Sequence, residues 1–338
     1  MKLKPKLKNL LSFIVKALVS AALIWYLLSI TEFSAVIAAL TSASPILLML
    51  AFITLILGKI ITSYRWQVLL KAQEIDVPLR FLIGSVFVGQ FFNSFLPTTI
   101  GGDAMRAYDT AIFSKDSTKS VVSVFVDRMI GVFALAVLAV FALIIGFVSG
   151  QDVGFYVIPV LLVFILCSIG VLLIFSARVY NVMDQLMRMV HLEKFALKLE
   201  EAYNSFRLLR TFPRVLIIAF MASLLLQINV ILFYYFIGVS LDLGVSFLYF
   251  AMIVPVALVV LLVPFSINGI GIREGIFVYL LTGLGVENKD AIALSWISFG
   301  LMLTQGIIGG IIFALRGIHL GESKVESSIP QEPNSKIF

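Results

Sequence analysis

Long apolar runs alternate with short polar stretches along almost the whole chain. Uncharged runs cover Met129–Gln151, Val153–Ala177, Val215–Leu241, Leu243–Ile272 and Ala291–Leu315. Each exceeds the roughly 20 residues that a helix needs to cross about 30 Å of hydrocarbon. Two more apolar runs come first, Leu10–Ile30 and Pro45–Thr62. The pattern predicts an all-α, polytopic helical membrane protein with about seven to eight membrane segments and two broken ones.

The first break lies in LPTTIGGDAMRAY (Leu96–Tyr108), directly after the apolar run Phe81–Leu96. Arg80 precedes that run, and Arg106, Lys115 and Lys119 follow it. Basic flanks on both sides predict a re-entrant hairpin that goes in as a helix, breaks at Pro97–Gly102 and returns on the same side. Non-helical backbone at that depth is tolerated only where protein or a water-filled cavity covers it. The second break lies in SINGIGIREG, with Gly269, Gly271, Arg273 and Glu274 between two apolar stretches. Pro97 to Arg106 and Pro264 to Arg273 are both nine residues, with glycines between. Interrupted segments in corresponding positions of two halves point to a transporter's midplane site. The matched spacing fits an inverted repeat, and chance spacing is the alternative.

Composition agrees with the pattern. Of 338 residues, 61% are hydrophobic and 13% charged, with mean hydropathy +1.08. A soluble domain is nearer a quarter charged, so most enzyme classes built on soluble folds are excluded. The net charge of +6 is placed by topology rather than for nucleic acid. Lys2, Lys4, Lys6 and Lys8 precede the first apolar run, and seven basic residues from Arg178 to Arg214 separate the runs ending at Ala177 and beginning at Val215. The short loops at Glu32, Asp152 and Asp242 carry none. This alternation predicts a cell-membrane protein with both termini in the cytoplasm. Leu10–Ile30 is long and lacks a small-x-small site at its end, which favours an uncleaved first helix over a signal peptide. Cys167 is the lone cysteine, so no disulfide within the chain is expected.

Residues 1–316 are expected to form a single integral membrane domain. Within it, Tyr180–Thr211 reads as a cytoplasmic amphipathic helical segment, and 317–338 as a disordered tail. No metal-ligand spacing surrounds His191 or His319, there is no phosphate-binding GxxxxGK[ST], and no cofactor is expected.

Ionisable side chains inside a membrane are costly and normally face a cavity or a partner. Arg106, Arg128 and Arg273 are therefore the candidate head-group ligands. Asp103, Asp127 and Glu274 are their candidate charge partners. A helix start offers free N–H groups to an anion, and arginine adds a fork that fits phosphate oxygens. Asp103 would serve equally as a helix cap. Asn93, Pro97, Gly101, Gly102, Pro264, Asn268, Gly269 and Gly271 would shape the cavity, the asparagines by bonding broken backbone. Lys59, Arg65 and Trp66 read as interfacial residues at the end of Pro45–Tyr64. Gly306-x-x-x-Gly310 would allow close helix packing.

FFNSFLPTTIGGDAMRAY, VFVDRMIGVFAL and VPFSINGIGIREGIFVYLL, in that order, resemble the lysylphosphatidylglycerol synthase transmembrane-region family, with Arg65-Trp66 fitting the same pattern. Where Asp127 stands the family often has Glu. The resemblance implies the lipid-handling half of such synthases, without their soluble aminoacyl-transferase domain. The expected function is thus a flippase or scramblase of phospholipid or lipid-linked precursor, rather than an enzyme. Its rivals are an accessory subunit docking a transferase at the cytoplasmic face and, with less support, an intramembrane transferase. Membrane lipids are the expected partners, nucleic acid is not, and oligomeric state is left open.

Overall fold

The computed structural model describes residues 41, 43–95, 100–174, 176–189, 193–262 and 271–326. Gly101 and Gly102, expected within the first break, are already helical. The predicted helix Leu10–Ile30 and the parts of the two breaks at residues 96–99 and 263–270, with Pro97, Pro264, Asn268 and Gly269, lie outside the described residues. Those residues form eleven helices and no strand. They are α1 Pro45–Lys71, α2 Leu79–Phe95, α3 Ile100–Ser114, α4 Ser117–Val148, α5 Gly154–Ile174, α6 Ala177–Met189, α7 Glu193–Arg210, α8 Pro213–Ser240, α9 Phe247–Leu262, α10 Ile272–Thr282 and α11 Asn288–Glu326. Five of them (α1, α4, α5, α8 and α11) are long and apolar enough to cross a membrane, and α2 and α9 are shorter apolar helices. The chain is an integral membrane protein.

Local sequence sets the ends. Proline opens α1 and α8 at the first helical position, where no N–H is needed. Asp116 caps α4 by accepting from the Lys119 N–H at 3.0 Å. α10 starts at Gly271, whose φ of 84° suits glycine, and its N–H donates to the Glu274 carboxylate at 2.6 Å.

Three boundaries differ from expectation. α1 runs seven residues past Tyr64, to Lys71. Tyr180–Thr211 falls in two helices, α6 and α7, packed with Tyr180 stacked on Tyr203 at 4.1 Å. α11 continues to Glu326, beyond the Gly317 at which the tail was expected to start, because Gly317 does not break a helix already propagating.

α1 and α8 form the most extensive helix pair, followed by α2 with α11. Polar side chains tie the bundle together inside. Gln227 donates to the Gly131 carbonyl (2.9 Å), Asn229 to that of Thr54 (2.8 Å) and Gln305 to that of Leu55 (2.7 Å). Such bonds replace the hydrophobic drive that lipid cannot supply between helices. Small residues do the rest: Gly306 lies against Ser94 and Gly310 against Phe91, while Gly309 meets the Phe87 carbonyl of α2.

Gly275 in α10 has open space where a Cβ would go. Gly275→Ala should therefore stabilise the protein by about 0.5–1 kcal/mol through helix propensity. Thermal unfolding in detergent checks this, and an unchanged or lowered Tm would count against open space there.

Candidate functional site

α2 and α3 pack antiparallel, with Phe81 against Phe113 (ring centroids 4.6 Å apart) at one end and Gly89 against Gly102 near the other. The close approach lets Asn93 accept the Gly102 N–H at 2.8 Å. It also lays α3 against α4, so that acids and bases from α1, α3 and α4 meet.

Asp127 of α4 is the hub. Its Oδ1 accepts from Arg65 Nε of α1 at 2.6 Å, and its Oδ2 from Arg106 Nη2 of α3 at 2.8 Å. Arg65 Nη1 also donates to Ser223 Oγ of α8 at 2.9 Å. Gly131, one turn beyond Asp127, leaves the room that the Arg65 guanidinium fills. Arg106 reaches Asp103 Oδ1 at 3.5 Å and lies 4.2 Å above the Trp66 ring, while Trp66 donates to Ser123 Oγ at 3.3 Å. Asp103 binds Arg128 through its other oxygen. Three guanidinium groups thus face two carboxylates, leaving one positive charge.

Access is graded across this network. The side chains of Asp127, Arg65 and Arg106 are 1%, 5% and 9% exposed, against 19% for Asp103 and 29% for Arg128. Arg128 is the open end of a chain of charges whose interior is sealed. Gly101 and Gly102 begin the turn of α3 that presents Asp103.

The second break leads to a different setting. Arg273, in the first turn of α10, places its guanidinium 4.9 Å over the Phe299 ring of α11, and Tyr234 and Glu274 are near enough to act on its charge. Phe299 belongs to a cluster with Phe91, Phe95 and Trp296. Phe95 ends α2, so this aromatic cluster links the end of α2 to the ring beneath Arg273. The two arginines are not equivalent in register. Arg273 is the second residue of its helix, whereas Arg106 is the seventh of α3 and reaches sideways into α4. Among the described residues, no group of three or more His, Cys, Asp or Glu side chains could hold a metal.

A family model for the lysylphosphatidylglycerol synthase TM region matches residues 13–309 of the 338. The chain belongs to that family. Two similar proteins are archaeal, and both are named only as UPF0104 membrane proteins. One, from Methanothermobacter thermautotrophicus, is 25% identical over 292 residues, covering 80% of this chain and 86% of the relative. The other, from Pyrococcus horikoshii, is 23% identical over 289 residues, covering 78% and 85%.

Two of the three family-like motifs meet in the buried network: Asp103 and Arg106 come from the first, Asp127 and Arg128 from the second. Residues read as interfacial prove integral to the same site. Arg65 and Trp66 are 4% and 0% exposed, because α1 continues beyond them and carries them inside the bundle. Lys59 is the fifteenth of the 27 residues of α1 and donates to Gln90 Oε1 at 2.7 Å instead of reaching for an interface. The sequence showed only that two of them share a face. Lys59 and Trp66 are seven residues apart, hence on one helical face.

Proposed function

We propose that this protein moves an anionic amphiphile, a phospholipid or lipid-linked precursor with a phosphate in its head group, between the leaflets of the cell membrane. The observation that carries the reading is the charge network itself: five ionisable side chains inside an apolar bundle, net positive, closed at Asp127 and open at Arg128. Ionisable groups in a membrane interior are retained for function by default. Arg128 is the first ligand of the head group, Asp103 sets its direction, and Arg106 holds both against Asp127. Arg273 supplies a second cation across the aromatic cluster, near the midplane. The tails stay in lipid, where α4 also lines an apolar cleft of about 180 Å³ with Phe206 and Phe220.

In this reading α2 and α3 form the re-entrant hairpin. By the positive-inside rule, the ends at Lys71, Lys115 and Arg316 face the cytoplasm. The protein is a carrier rather than an enzyme, acting without a cofactor. One observation favours a second reading. α6 and α7 expose Val182, Leu186, Met189 and Leu197, a surface on which a transferase could dock if the chain were an accessory subunit.

The test is reconstitution in liposomes carrying fluorescent phosphatidylglycerol, timing the loss of protected signal after an impermeant quencher. Exchange well above that of empty liposomes is expected, slowed about tenfold or more by Arg128→Gln, which removes a charged hydrogen-bond donor. Exchange no faster than in empty liposomes would sink the carrier reading and favour the accessory role.

A further inference from the structure

Lys59 occupies a position that the network described above does not explain. It stands in the middle of α1, half-buried, and no ion pair among the described residues includes it. Its bond is to a neutral amide, Gln90 Oε1 at 2.7 Å, and Gln90 in turn donates to Ser94 Oγ at 3.1 Å. The charge that acts on it is that of another cation, Arg106. Arg106 has an unused donor of its own, since its buried Nε–H has no hydrogen-bond partner among the described residues. Lys59 and Trp66 share a helical face two turns apart, and the Arg106 guanidinium covers Trp66. Two cations therefore lie on one face of α1, and the carboxylates that hold Arg106, those of Asp103 and Asp127, form no ion pair with Lys59. A cation at membrane depth normally finds a partner, and Lys59 has only a neutral one.

We infer that Lys59 and Arg106 form a second anion station, deeper than Arg128, which takes the phosphate of the transported molecule. The inference rests on the carrier reading above and adds a residue and a stage to it. A phosphate diester or monoester supplies the missing acceptor, receiving from Lys59 Nζ and Arg106 Nε. Gln90 and Ser94 hold the lysine in place when the station is empty.

Binding can be read through Trp66 in the full-length protein carrying Trp25→Phe and Trp296→Phe, which leaves Trp66 as the one remaining tryptophan of three. The protein in detergent is titrated with short-chain phosphatidylglycerol and, separately, with inorganic phosphate. A saturable change in Trp66 emission is expected. Lys59→Gln should weaken it about tenfold or more, while Lys59→Arg stays within a few-fold of the parent. Saturation by lipid alone would assign the station to a head group; saturation by both, with the same dependence on Lys59, would assign it to phosphate as such. Gln90→Glu offers a test that does not depend on removing the lysine. It places an internal carboxylate against Lys59, so it should raise Tm without lipid and abolish the response. Unaltered binding in Lys59→Gln or in Gln90→Glu would overturn the inference. Arg128→Gln in the same assay separates the two claims. If it weakens binding while Lys59→Gln does not, the station is wrong and the carrier reading stands; if no saturable response occurs at all, both fall.

Discussion

Asp127→Ala is expected to be the most destabilising single substitution in this protein, at about 3–5 kcal/mol. Asp127 is 1% exposed and is the one carboxylate that holds both Arg65 and Arg106. Removing it leaves two guanidinium groups inside the bundle, where Asp103 can serve only Arg106, at a loose 3.5 Å. The effect should exceed that of losing either arginine, because each arginine removed still leaves Asp127 a partner. Asp127→Glu keeps the charge but must fit another methylene between three helices, an overpacking cost of about 1–3 kcal/mol. Arg65→Gln combined with Asp127→Asn should be less damaging than the sum of the single changes, since the pair is directly coupled. Thermal unfolding of purified protein in detergent, followed by loss of the monodisperse species, measures all of these. An Asp127→Ala protein that melts with the parent would show that the network contributes nothing to stability.

The next largest effect is expected from the smallest change, Gly102→Ala. A methyl group there would collide with the Gly89 carbonyl of α2 and with the Asn93 carboxamide. Asn93 can rotate away, losing its bond to the Gly102 N–H, but the Gly89 backbone cannot. The two helices must then part, at about 1–3 kcal/mol. Arg106 stands one turn further along α3, so the displacement reaches Asp127 as well. Lipid exchange should fall along with Tm, which distinguishes this glycine from Gly275, whose replacement touches nothing. A Gly102→Ala protein as stable as the parent would mean that α2 and α3 are not packed as closely as described.

Much of this architecture is legible in the order of residues, and the reasons differ from element to element. Helices that cross a bilayer must be apolar for about 20 residues. The runs beginning near Pro45, Ser120, Phe155, Val215 and Ala291 therefore announce α1, α4, α5, α8 and α11 directly. The antiparallel packing of α2 and α3 agrees with the basic residues that flank Phe81–Leu96 on both sides. The division of Tyr180–Thr211 into two helices is not, because a polar surface segment bears no such length requirement. Arg65, Trp66 and Lys59 show the limit most clearly. A basic residue near the end of an apolar run can be satisfied by reaching water or by meeting an acid on another helix. The residues around Arg65 look the same in both cases, and the acid that decides the matter is 62 positions away.

The sequence by itself thus determined that this is a polytopic helical membrane protein and that Asp103, Arg106, Asp127, Arg128 and Arg273 are out of place in lipid. Only the tertiary structure decided which of those charges meet. It joined Arg65, Arg106, Arg128, Asp103 and Asp127 from three parts of the chain into one network. It left Arg128 open and Asp127 sealed, and set Arg273 against Phe299 in a separate place. The physical reason is that the bilayer constrains each helix singly, through the transfer of its own side chains. Pairing depends on how helices face one another, which small residues such as Gly89, Gly102 and Gly131 control by allowing backbones and guanidinium groups to approach.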